Sequence, residues 1–387
     1  MTTLARTTEI LADLIQFPTV SSQSNQAMMT YAADLLDAAG AKTDLITAPC
    51  GTKANLFATL GPERDGGILL SGHSDVVPVA DQLWQTDPFV LTQKDARLYG
   101  RGTCDMKGFI AATLAMAPHF AANVSQRPLH FAFTYDEEIG CFGAQHLAQT
   151  LKDRALTPGV VIIGEPTEMR IIEGHKGCYE YSTHFHGLEG HGSTPDLGVN
   201  AVEMAVRYVA RLLELKQNLR AMAPQDSQFD PPWTTVNVGA LTGGVAHNVI
   251  ASKAQVDWEM RPVQTSDADY VKAALLKTCQ EELLPAMRQI HPEADIVLET
   301  IGEVAGLVPT NDNEARRIVS ALTGANGADL VAFGTEAGIF QALGTDVVVC
   351  GPGSINQAHK ADEFLSLDQL SQCLTMLERL GDQLCDI

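Results

Sequence analysis

At 387 residues with 45% apolar side chains, the chain is long enough for two domains of ordinary globular composition. A formal net charge of −21 argues against nucleic acid as a partner, because phosphates would be repelled over most of the surface. No run approaches the roughly 18 apolar residues of a bilayer-spanning helix. The eight cysteines contain no C-x-x-C pair, which predicts reduced thiols in a cytoplasmic protein.

From residue 1 to about 177 the pattern is mixed α/β. Leu4–Phe17, with Arg6, Glu9 and Asp13 at intervals, is predicted to be an amphipathic helix and not a cleaved leader. A second helix spans Ala27–Ala39 and is closed by Gly40. Asn55–Leu60 and Ile68–Ser71 are expected strands, the second stopping abruptly at His73-Ser-Asp75. Asp81–Tyr99 is expected to be a loop in which Trp84, Pro88 and Phe89 cap the core. A glycine-rich turn then delivers Asp105 to a helix that starts near Met106. Leu129–Thr134 is a buried strand ending in Asp136-Glu137-Glu138, and Phe142–Leu151 is a helix. Val160–Ile163 is a further strand, ending in Gly164-Glu165-Pro166-Thr167.

The character changes near Cys178. Cys178–His186, Thr234–Leu241, Ser252–Arg261 and Ala294–Thr300 are expected strands; Asn200–Leu219 and Asp267–Ile290 are expected helices. This β-α-β-β-α-β order is that of a ferredoxin-like module. It predicts an inserted α+β domain over 178–302, flanked by the two parts of an α/β domain, 1–177 and 303–387. In the last part Glu314–Leu322 and Asp368–Leu384 are helices and Asp346–Cys350 is a buried strand.

Three predicted strands thus end in His73, in Glu137–Glu138 and in Glu165. In an α/β sheet such ends face the ligand. With Asp105 beside them they accumulate negative charge that a cation would offset. His73, Asp105, Glu138, Glu165 and His359 supply two imidazoles and three carboxylates, enough for two zinc-type ions sharing one carboxylate. Asp75, two residues beyond His73, can hold one of its ring nitrogens while the other faces a metal. Glu137 adjoins a ligand without sharing its direction, which suits a general base.

H-S-D-V-V-P (73–78), G-R-G-T-C-D-M-K-G (100–108), D-E-E-I-G (136–140), G-E-P-T (164–167) and A-H-K-A-D-E-F (358–364) together resemble the M20 family of co-catalytic metallopeptidases and deacylases. The resemblance covers essentially the whole chain. It implies a zinc-peptidase-like mixed sheet flanked by helices, with the inserted domain serving as a lid and dimerisation module. It further implies two Zn2+ per subunit, with Co2+ as a substitute. His73 and Glu165 would hold one ion, Glu138 and His359 the other, and Asp105 both, from a cis peptide to Met106. Asp75 would stand behind His73, and Glu137 would be the base. His191, in Gly190-His-Gly-Ser-Thr-Pro, would reach the partner subunit's site in a homodimer. Asn248, Arg261 and Gly353 would hold the substrate's carboxylate and backbone. Cys104, where members often carry a small residue, is expected to pack and not to ligate. The implied substrate is a small-molecule N-acyl amino acid. Gly334-Thr-Glu-Ala-Gly338 resembles the branch that converts N2-acetyl-L-ornithine to L-ornithine and acetate, with Glu336 facing the ammonium or standing as a solvated loop carboxylate. The alternatives are another N-acyl amino acid deacylase, a succinyl-diaminopimelate desuccinylase or a dipeptidase of the same fold.

Overall fold

The computed structural model describes residues 1–385, and the chain divides into two compact units. The first comprises Met1–Gly174, Pro309–Leu330 and the chain from Thr335 onward; the second comprises His175–Val308 with Val331–Gly334. Among the described residues no helix is long and apolar enough to cross a membrane.

The first unit opens with α1 (Thr3–Ile15) and α2 (Gln26–Ala38), followed by β1 (Lys42–Thr47), β2 (Ala54–Leu60) and β3 (Ile68–His73). The expected loop 81–99 contains a small hairpin, β4 (Thr92–Lys94) and β5 (Arg97–Tyr99). Next come α3 (Gly108–Asn123), β6 (Leu129–Thr134), α4 (Phe142–Asp153), β7 (Val160–Pro166) and β8 (Ile172–His175).

In the second unit, β9 (Cys178–His186), a two-residue β10 (Gly190–His191), α5 (Ala201–Ala221), β11 (Thr235–Gly243), β12 (Val249–Ile250) and β13 (Lys253–Arg261) follow in order. They are succeeded by α6 (Thr265–Thr278), α7 (Leu284–Arg288) and β14 (Asp295–Val304). The expected single helix 267–290 is thus two helices joined by a π-helical turn at Cys279–Leu283, with Pro285 starting the second. The first unit resumes with α8 (Glu314–Thr323), β15 (Asp329–Val331), α9 (Ala337–Gln341), β16 (Asp346–Gly351), β17 (Phe364–Ser366) and α10 (Leu367–Gln383).

The large sheet has the order β1-β2-β6-β3-β7-β16-β8-β15, with β6, β3, β7 and β16 mutually parallel at its centre. Parallel central strands are buried on both faces, which is why Ile68–His73, Leu129–Thr134 and Val160–Pro166 contain no exposed residue. Alternate residues (Leu56, Ala58 and Leu60; Ile68 and Leu70; Val160 and Ile162) share one core cluster with α1, α3 and α10.

The four-stranded sheet of the second unit has the order β11-β13-β9-β14, all pairs antiparallel. One face presents Tyr181, Phe185, Val256, Trp258 and Met260 to α5 and α6. The other face is polar and carries Glu180, His184, Gln255, Asp257 and Glu259. This half-buried alternation is what made the strands readable in the sequence.

Candidate active site

Because β3, β6 and β7 run parallel, their carboxyl ends lie at one edge of the large sheet, and the acidic residues meet there. β3 ends on His73, β6 leads into the Asp136–Glu138 turn, and β7 carries Glu165. Gly164 is required by close packing, since a Cβ there would stand 1.9 Å from the Phe109 ring of α3. Asp105 lies in the irregular turn Thr103–Lys107, and the peptide to Met106 is cis. His73 Nε2 is 2.9 Å from Asp105 Oδ1 and 3.6 Å from Glu165 Oε1. His359 Nε2 is 3.0 Å from Glu138 Oε2 and 3.3 Å from Asp105 Oδ2. Asp105 therefore directs one oxygen to each imidazole. All five residues expected to hold metal come together in the first unit. Glu137 joins them, for His73, Glu137 and Glu165 each offer an atom within 4.8 Å of the others.

The electrostatics follow from burial. Glu137 is pushed up to about 8 by burial, with Glu138 and Asp105 adding to the push. Burial and Asp105 raise Glu138 to about 7, against the pull of His359. Glu165 rises well above the carboxylate range for the same two reasons, burial and Asp105. For His73, burial favours the neutral ring, but Glu165, Asp105 and Asp75 outweigh it and hold the ring's pKa well above its ordinary value. His359, half exposed, is raised to about 10 by its hydrogen bonds to Asp105 and Glu138. Carboxylates crowded out of water hold protons unless a cation takes their place.

Two anchors fix this geometry. Asp75 meets the Nδ1 of His73, with its backbone oxygen at 2.9 Å and Oδ1 at 3.6 Å. The carboxylate accepts hydrogen bonds from Ser21 Oγ at 2.7 Å and from the backbone N–H groups of Glu137 and Glu138 at 3.0 and 3.3 Å. It thereby ties the Asp136–Glu138 turn to the His73 strand. The second anchor, Glu363, is fully buried and escaped sequence reasoning. It accepts from Arg101 Nη1 at 2.8 Å and from the amides of Gly102, Cys104 and Asp105 at 3.0, 2.8 and 3.1 Å. The available signal was an acid beside apolar Phe364 in the same motif as His359. Cys104 packs as expected, its Sγ 3.3 Å from the Ser354 carbonyl oxygen.

The residues expected to meet substrate fare differently. Gly353 has φ +95°, and a Cβ there would lie 2.6 Å from Cys104 Sγ. Its N–H donates to Gln369 and its carbonyl accepts from the Glu168 N–H, which fixes the turn beside Cys104. Glu336 is only 1% exposed and is not a solvated loop carboxylate. It accepts from Ser71 Oγ at 2.5 Å and from Thr134 Oγ1 at 2.8 Å, inside the core and without a face toward solvent. In the second unit, His191 and Asn248 are brought close by the short β10–β12 ladder, where Gly192 N–H donates to the Asn248 carbonyl at 2.8 Å. His191 is exposed, with Nδ1 2.7 Å from Ser193 Oγ. Arg261 ends β13 and donates through Nε and Nη2 to Glu259 Oε2, at 3.1 and 2.7 Å.

The donor set fits a pair of divalent cations. Glu165 Oε1 is buried and accepts no hydrogen bond, and four carboxylates surround only two imidazoles. Nitrogen and carboxylate oxygen are the donors that zinc-type ions take. Comparison with known proteins agrees with this chemistry. Residues 69–383 match the model of peptidase family M20/M25/M40. An acetylornithine deacetylase from Myxococcus xanthus is 36% identical over 382 residues, 97% of this chain and 96% of that one. One from Shigella sonnei (strain Ss046) is 34% identical over 365 residues, 92% of each chain. Among solved structures, an M20 family metallo-carboxypeptidase from Sulfolobus solfataricus superposes with a TM-score of 0.76 at 18% identity, covering 97% of this chain and 98% of that one. The chain belongs to peptidase family M20/M25/M40.

Proposed function

We propose that this chain is a di-metal amidohydrolase that removes the N-acyl group of an amino acid, with N2-acetyl-L-ornithine as its substrate and L-ornithine and acetate as products. That reaction would place it in arginine biosynthesis. The convergence of His73, Asp105, Glu138, Glu165 and His359 around Glu137 carries the reading of the chemistry. The full-length likeness to two acetylornithine deacetylases supports the choice of substrate.

His73 and Glu165 would hold one ion, Glu138 and His359 the other, and Asp105 both; zinc suits this donor set, and cobalt can replace it. Ions held there would acidify water and polarise the scissile carbonyl. Glu137 takes the proton of the attacking water and returns it to the departing amine, the two roles of one general acid–base group. Arg261 offers a planar fork for the substrate carboxylate, with Asn248 beside it in that task. His191 would donate to the oxyanion formed on the carbonyl of the partner subunit's substrate, in a homodimer built through the second unit. All eight cysteines are free, which supports a reducing, cytoplasmic setting.

Turnover of N-acetyl-L-ornithine beside N-formyl and N-succinyl amino acids and simple dipeptides tests the substrate assignment. Fastest cleavage of N-acetyl-L-ornithine, abolished by chelation and restored by Zn2+ or Co2+, is expected. Preference for a dipeptide or a succinylated substrate would move the chain to another branch of the family, and activity in fully metal-stripped protein would reject the chemistry.

A further inference from the structure

Glu336 lies in no contact that the reaction above uses, yet it is a nearly fully buried acid and both its oxygens are engaged. Its donors stand on two different strands. Ser71 belongs to β3 and precedes His73 by two positions, so the two side chains share one side of the strand. Thr134 ends β6 and pairs directly with His73 in the parallel ladder. Immediately beyond Thr134 the chain turns into Asp136, Glu137 and Glu138. Ser74 reinforces the same junction, its N–H and Oγ donating to the Thr134 carbonyl at 2.8 and 2.6 Å. Glu336 itself is held at the start of α9, which packs on α4 and β16.

We propose that Glu336 is a positioning residue: a carboxylate strap that joins Ser71 of β3 to Thr134 of β6 and so sets the spacing between His73 and the Glu137–Glu138 turn. This rests on the di-metal reading above. It replaces the expectation that Glu336 faces the ornithine ammonium, since the acid is closed off from solvent and each of its oxygens already accepts from a core hydroxyl. Groups that orient metal ligands from behind commonly change metal affinity by 10- to 100-fold when altered.

The test uses the full chain. Metal affinity is measured by competition with a chromophoric chelator, and kcat/KM is compared for N-acetyl-L-ornithine and N-acetyl-L-norvaline, which differ by the terminal amine. Glu336→Ala is expected to weaken Zn2+ binding about 10-fold or more and to leave the ratio of the two substrates unchanged. Glu336→Gln, which can still accept one hydroxyl hydrogen bond, should recover part of the affinity. If Glu336→Ala does not fold, Ser71→Ala with Thr134→Val removes the same two hydrogen bonds and should weaken Zn2+ in the same way. Unchanged metal affinity with a collapsed substrate ratio would make Glu336 the ammonium partner and overturn the strap. Unchanged affinity with an unchanged ratio would overturn it too. A wild-type chain that binds no divalent ion would instead remove the di-metal reading, and the strap with it.

Discussion

Glu180 and Glu259 on the open face of the four-stranded sheet, and Glu137, Glu138 and Glu165 at the edge of the large one, are both groups of acids held close together. Cys178, Glu180 and Glu259 offer atoms within 4.8 Å of one another, as tight as the sets around His73. Their surroundings differ. The first group is only partly buried, and Arg261 gives Glu259 two hydrogen bonds from the same strand. In the second group Glu165 is buried and Glu137 and Glu138 are half-buried, and among the described residues no lysine or arginine donates to the three carboxylates; their charged neighbours are imidazoles. Closeness of acids is therefore a poor sign of a metal site. What marks one is burial without a fixed cation, because desolvation and like-charge repulsion then act together and only a mobile cation relieves both.

The sharpest way to break this comparison is to remove the proposed base and leave the donors. Glu137→Gln should lower turnover by about 10² to 10⁴ while both ions stay bound; release of an ion would place Glu137 among the ligands. The same variant tests the proposed dimer. Mixed with a His191→Ala chain it should regain part of the activity, since one site of a mixed dimer has both groups intact. Mixed dimers that stay as slow as the separate variants would assign His191 no role across the interface.

A smaller effect comes from pH. Glu137 near 8 and Glu138 near 7 lie above the ordinary 4.5 of a glutamate. For a raised carboxylate, the stabilising contribution is complete below about 4.5 and is lost as pH rises through the folded value. With the ions stripped by chelation, thermal stability should therefore decline from about pH 5 to pH 8.5, and the gain in Tm on adding Zn2+ should grow over that window. A gain that is constant with pH would show that these acids are not what the ions neutralise. The smallest expected change belongs to the other cluster. Glu259→Gln should leave the number of bound ions untouched and shift only KM, by less than about tenfold, through the freed Arg261 fork; loss of an ion there would erase the contrast.

Much of the site was legible because its residues end strands whose apolar runs are unmistakable, as Ile68–His73 and Val160–Pro166 are. The second unit was legible for a different reason, the strict alternation along Cys178–His186 and Lys253–Arg261. Short edge elements gave no such sign. Lys42–Thr47 buries only Ile46, and the hairpin Thr92–Tyr99 turns through Asp95 and Ala96, both at positive φ; Asp95 is a turn former, but Ala96 carries no turn signature in sequence. Glu336 misled because Gly334-Thr-Glu-Ala-Gly looks like a loop. Its burial is made by hydroxyls 265 and 202 residues away, which no local pattern encodes. At Gly353, likewise, the need for a bare Cα comes from Cys104, on a distant turn.

The Glu363 cradle has a consequence for the order in which the protein is made. Asp105 and the carboxylate that positions its amide are 258 residues apart. At roughly 5–20 residues per second of synthesis, about 13–50 s separate their emergence. Once Glu165 has been made, and until residue 359 is reached, a nascent chain holds His73, Asp105, Glu138 and Glu165 but lacks both His359 and the acceptor for the Gly102, Cys104 and Asp105 amides. On the di-metal reading, a fragment stopped before residue 359 would carry His73, Asp105, Glu138 and Glu165 without the carboxylate that fixes the Asp105 turn.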